Sequence, residues 1–185
     1  MGEAALASIH EAELYPLVRD TLRGFWAKER QIEPLAVEIT AAQGRKPTGG
    51  RWTRPDLVSV AVRTYRYLPG KYMEVVTFEV KPCDCIDVTA VYEALAHLRS
   101  ATHAYVIFHI PNEQDESAKL TVDETCRVAR SHGIGLIVMG DPGDWDTWTE
   151  LEEAHRFEPD PQRLDEFITI QLNQAAHDRI ARALH

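Results

Sequence analysis

The stretch Arg54–Pro82, RPDLVSVAVRTYRYLPGKYMEVVTFEVKP, decides the fold. Two segments rich in the Val, Thr, Tyr and Phe that strands favour, RPDLVSVAVRTYRYL and YMEVVTFEVK, flank the turn chemistry of Pro69, Gly70 and Lys71. That pattern predicts a β-hairpin folded tightly about Pro69 and Gly70. Residues two apart on a strand share a face, so Glu79 and Lys81 point one way while Phe78 and Val80 point the other. Folding the hairpin returns the Asp56 end beside Lys81. Two carboxylates and one ammonium then converge at the far end of the ribbon.

Working outward, AELYPLVRDTLRGFWAKE places Leu14, Leu17, Val18, Leu22, Phe25 and Trp26 on a helical stripe, with an early proline expected in the first turn. EPLAVEITAA reads as a strand, and QGRKPTGGRW as a basic, glycine-rich loop. After the hairpin, IDVTAVYEALAHLRSAT predicts a helix burying Val88, Val91, Tyr92, Leu95 and Leu98, with Asp87 as its cap. HAYVIFHIP is a strand too apolar for an exposed edge. ESAKLTVDETCRVARSHG is a helix stopped by Gly133, and IGLIVMG is a buried strand. Strand, helix, strand, helix, strand in succession implies parallel pairing in this half of the sheet. GDPGDWDTW is turn-rich. A last helix from about Pro161 carries Leu164, Phe167, Ile168, Leu172, Ala176, Ile180 and Leu184 on one stripe.

A chain of 185 residues, 44% hydrophobic and 26% charged, is ordinary for one folded domain spanning 1–185. No apolar run approaches a signal peptide or a membrane span, and three cysteines do not make a disulfide framework, so a cytoplasmic, reducing setting is expected. The net charge of −9 argues against coating nucleic acid by electrostatics alone. Locally the sign reverses. Between Gly44 and Tyr72, seven cations (Arg45, Lys46, Arg51, Arg54, Arg63, Arg66 and Lys71) face Asp56 alone, a local charge of +6. From Asp141 to Glu166, ten acids against Arg156 and Arg163 give −8.

The trio has a chemical use. Mg²⁺ is a hard ion usually held by one or two carboxylates, waters and a substrate phosphate. Asp56, Glu79 and the backbone carbonyl of Val80 offer such a set, and Lys81 can orient a water and stabilise developing negative charge. Phosphodiester hydrolysis is the reaction class this suits.

With its partner aspartate in RPD and, after a gap of 22 residues, the tripeptide EVK, the chain resembles the PD-(D/E)xK nuclease superfamily, whose fold is the restriction-endonuclease-like one. The element order over about residues 9–140 is similar too. The resemblance implies an α/β protein with an αβββαβ core, a mixed central sheet flanked by helices, a further helix and strand, and a C-terminal helix. About 141–185 would then hold an acidic connector and that last helix. The resemblance implies Asp56 and Glu79 as metal ligands, Lys81 as the residue assisting the water, and Mg²⁺, with Mn²⁺ as substitute, as cofactor. It also implies an accessory acid from the first helix, Glu13 ahead of Glu11, and a polar pair on the following helix, Glu93 and His97. DNA is the expected substrate ahead of RNA, with Arg45, Lys46, Arg51 and Arg54 as nucleic-acid contacts. Target choice would come from a homodimer, a partner protein or the basic loops.

The rival expectation is a binding or regulatory module that keeps this fold, lacks the chemistry and acts through a protein partner. Cys83 and Cys85 with Cys126 lack the four-ligand spacing of a zinc or iron–sulfur site. Trp52, Tyr65, Tyr67 and Tyr72 lie among the hairpin cations, a mix suited both to stacking on bases and to ordinary strand packing. Trp145 and Trp148 are read as anchors of the acidic loop on the core.

Overall fold

The computed structural model describes residues 10–41, 54–112 and 114–185. A first helix, α1 (Glu11–Thr21), runs through a π-helical turn at Leu22–Trp26 into the short α2 (Ala27–Glu29). There follow β1 (Ala36–Ile39), β2 (Leu57–Arg63), β3 (Tyr72–Pro82), a 3-10 turn at Cys83–Cys85, α3 (Thr89–His97), β4 (His103–His109), α4 (Glu116–His132) and β5 (Gly135–Met139). After a 3-10 turn at Trp145–Thr147, β6 (Trp148–Glu152), α5 (Pro161–Gln171) and α6 (Gln174–Leu184) complete the order. The six strands form one mixed sheet in sequence order. β1, β2 and β3 pair antiparallel, β3, β4 and β5 parallel, and β6 closes the sheet antiparallel to β5.

Strand periodicity decides which helix covers which face. Val76, Phe78, Val80, Tyr105, Ile107 and Ile137 meet Leu14, Val18, Leu22 and Trp26 of the first helical segment. The alternate residues Ala104, Val106, Phe108 and Leu136 meet α3 and α4. On that second face, Val58, Val60 and Val75 meet Phe167, Ile168, Leu172, Ala176 and Ile180 of α5 and α6. Because helices cover both faces, the central strands are apolar on both sides, as parallel pairing demands. Among the described residues no helix is long and apolar enough to cross a membrane.

Several expectations change in physical detail. β2 ends at Arg63, paired with Tyr72, so the hairpin connection is the long segment Thr64–Lys71 rather than a tight turn. Tyr65, Tyr67 and Leu68 are exposed there, with nothing to reward continued pairing. Pro16 lies inside α1, where its missing N–H leaves the Ala12 carbonyl without its helical donor; both residues are exposed, so water can serve. Tyr92 faces outward and meets His132 edge-on instead of joining the core. Asp87 accepts from the Thr89 amide at 2.5 Å. The single last helix is two, because Leu172 is extended and Asn173 starts a new N-cap on the Ala176 amide. The turn-rich segment also conceals β6. Trp148 is buried there with its indole donating to the Asp141 carbonyl, and Trp145 packs against the same core, so both tryptophans do anchor the loop.

Candidate functional site

The hairpin register pairs Leu57 with Phe78, and the Asp56 amide donates to the Phe78 carbonyl at 3.0 Å. Asp56 is therefore set beside Glu79 by the strand pairing itself. Its carboxylate also prolongs the ladder, since Oδ2 accepts the Val80 amide at 2.8 Å. Two residues along β3, Lys81 Nζ lies 2.6 Å from Glu79 Oε1, as a shared strand face requires. Four carboxylates from two helices and the hairpin thus gather around one ammonium: Lys81 is 3.1 Å from Glu93 Oε2 on α3 and 4.0 Å from Glu11 Oε2 on α1.

Asp56 and Glu79 are 7% and 6% exposed, and this burial shapes their chemistry. Burial, then the neighbouring Asp56 charge, pushes the Glu79 carboxyl up to about 9, against the pull of Lys81. Burial likewise raises Asp56 to about 6, opposed by the Val80 amide. Burial works against the charged Lys81, but Glu79, Glu11 and Glu93 together hold it above its ordinary value. His97 is 2% exposed, and burial, then Lys81, lowers it to about 3, so it sits neutral with Nε2 4.0 Å from Glu79 Oε2. Among the described residues, neither ring nitrogen of His97 has a hydrogen-bond partner.

The structure brings together Asp56, Glu79, Lys81, Glu93 and His97. It corrects the first-helix acid: Glu13 is exposed and points elsewhere, whereas Glu11, one turn before Tyr15, faces the site. The helix phase decides this, because Glu11 shares its face with the buried Leu14, Tyr15 and Val18. Tyr15 is the residue that sequence reasoning missed. Its hydroxyl contacts Glu11 Oε1 and donates to Asp56 Oδ1 at 2.8 Å. The i, i+4 spacing of an acid and a tyrosine was the available signal. Of the proposed nucleic-acid contacts, Arg54 is half-buried, and Arg45, Lys46 and Arg51 lie outside the described residues, as does Trp52. Within the basic segment, Arg63 is paired with Glu74 at 2.7 Å and Lys71 donates to the Ala183 carbonyl, so part of the local +6 is occupied internally.

Among the described residues no three His, Cys, Asp or Glu side chains are arranged to hold a metal ion. A divalent cation would rest on Asp56, Glu79 and the Val80 carbonyl, with water completing its shell. The donors are all oxygen, as a hard cation prefers. Cys83 and Cys85, just past the site, are free and exposed, and Cys126 is free.

No protein-family model and no curated protein matches the chain. A solved structure of a protein of unknown function from Silicibacter pomeroyi is similar, with 14% identity, a TM-score of 0.49, and coverage of 95% of this chain and 90% of that one.

Proposed function

We propose that the chain is a Mg²⁺-dependent nuclease with a restriction-endonuclease-like core, hydrolysing phosphodiester bonds in DNA ahead of RNA. The observation that carries this reading is the convergence of Asp56, Glu79 and Lys81 at one end of the β2–β3 ribbon. Asp56, Glu79 and the Val80 carbonyl would hold the ion. When bound, Mg²⁺ supplies polarisation of a phosphoryl oxygen. Lys81 keeps its proton in this environment and so orients the attacking water and stabilises charge developing on the phosphate, while Glu79 holds Lys81 in place. Glu11 and Glu93 balance the ammonium from α1 and α3. The three free cysteines suit a reducing, cytoplasmic setting. Target choice falls to a second copy, a partner protein or basic segments around Arg54.

The decisive assay incubates the protein with single-stranded and duplex DNA and RNA in Mg²⁺ or Mn²⁺, with EDTA as control. Cleavage that needs the ion and disappears in Asp56→Asn supports the reading; no cleavage of any of the four substrates removes it. A second reading, a binding or regulatory module acting through a protein partner, draws on one feature: both Asp56 oxygens already accept hydrogen bonds. Calorimetric titration with Mg²⁺ separates the two, because the module has no use for a cation at Asp56 and Glu79.

A further inference from the structure

Tyr15 is a buried polar group at the site to which the carboxylate and lysine chemistry assigns no task. It is 7% exposed, and its ring belongs to the core beneath α1 beside Leu14 and Val18. Phenylalanine would serve that packing equally well. The hydroxyl, however, reaches past the core edge to two acids that come from different elements, Glu11 on α1 and Asp56 at the start of β2. With the Val80 amide on Oδ2 and the Tyr15 hydroxyl on Oδ1, each Asp56 oxygen has a donor of its own, which fixes the plane in which its remaining lone pairs point.

We infer that Tyr15 is a positioning residue: its hydroxyl, donating to Asp56, fixes the orientation of that carboxylate and thereby sets the affinity of the site for a divalent cation, without touching that cation itself. The inference rests on the proposed function, since it needs Asp56 to be a ligand. Partners that orient metal-ligating carboxylates are worth roughly 10- to 100-fold in metal affinity. The Tyr15 hydroxyl is placed to have an effect of that size.

The test is Mn²⁺ titration calorimetry on the full chain, comparing wild type, Tyr15→Phe and Asp56→Asn, alongside thermal unfolding in EDTA. Tyr15→Phe should weaken Mn²⁺ binding by about 10-fold or more. In cleavage assays it should raise the apparent KM for Mn²⁺ while kcat recovers at saturating ion. A merely structural hydroxyl would lower the unfolding temperature in EDTA and leave Mn²⁺ affinity at the wild-type value, and that result overturns the inference alone. Wild type that binds no Mn²⁺ overturns the metal reading and this inference with it. Should Tyr15→Phe fold poorly, near-UV difference spectra of the wild type serve instead: adding Mn²⁺ should perturb tyrosine absorption in wild type and not in Asp56→Asn, and an unperturbed spectrum counts against the role.

Discussion

Lys81 Nζ stands 2.6 Å from Glu79 Oε1 and 3.1 Å from Glu93 Oε2, so the ammonium bridges the sheet and the helix that covers it. Removing it while keeping its stem, in Lys81→Met, takes away the group to which the proposed function assigns the orienting of water and the meeting of charge on phosphate. Nuclease activity should fall about 10²- to 10⁴-fold. The fold should survive, because Glu79 already holds its proton readily and can become neutral. Circular dichroism and a cleavage time course check both halves, and an active variant would sink the assignment of Lys81.

The raised carboxyls fix how metal-free stability depends on pH. Glu79 binds its proton up to about 9 in the native state against an ordinary value of 4.5, so the stability it contributes is full below 4.5 and is lost as pH rises toward 9. Asp56 acts in the same direction up to about 6. His97 works oppositely: held down at about 3 from 6.5, it costs stability as pH falls below 6.5. Melting in EDTA should therefore show an alkaline decline starting at mildly acid pH, and Glu79→Gln should flatten it. A melting temperature that climbs steadily toward pH 9 would contradict the buried, proton-holding Glu79.

On the proposed function, divalent ions would compete with those same protons. Mg²⁺ should raise the melting temperature more at pH 8 than at pH 5, since binding at Asp56 and Glu79 must first release what the carboxyls hold. Proton release can be read directly by running the titration calorimetry in two buffers of different ionisation enthalpy. Equal heats in the two buffers would show that the acids were already bare.

Gly135 tests the packing beneath β4 and β5. A Cβ there would lie 2.8 Å from Tyr105 Cζ and closer still to Cε1 and Cδ1. The ring cannot swing away: Phe78 stacks on it with centroids 5.7 Å apart, and its hydroxyl donates to Glu150 at 3.0 Å. Gly135→Ala should cost about 1–3 kcal/mol or more, measured by urea unfolding. An unchanged midpoint would mean that the ring relaxes freely.

Much of this protein could be read from local pattern. The alternation that separates Glu79 from Val80, and the Gly133 stop of α4 at φ +67, act over a few residues and leave plain marks. What escaped depended on contacts distant in sequence. β6 pairs along the edge of β5, and three of its own five residues are exposed. The break at Asn173 keeps helical hydrophobic spacing on either side and shows itself only through a cap. Tyr15 meets Asp56 across 41 positions of chain, a distance over which periodicity says nothing. The choice of Glu11 over Glu13 follows from helix phase, since Glu11 shares the buried face of Leu14 and Val18.

The Asp56 carboxylate takes the Val80 amide where the β2 backbone has not yet begun its strand. The Asp56 side chain is thus tied into the hydrogen bonding of the sheet itself. Heat inactivation should coincide with global melting rather than precede it, and the Val80 amide should exchange with solvent as slowly as the most protected core.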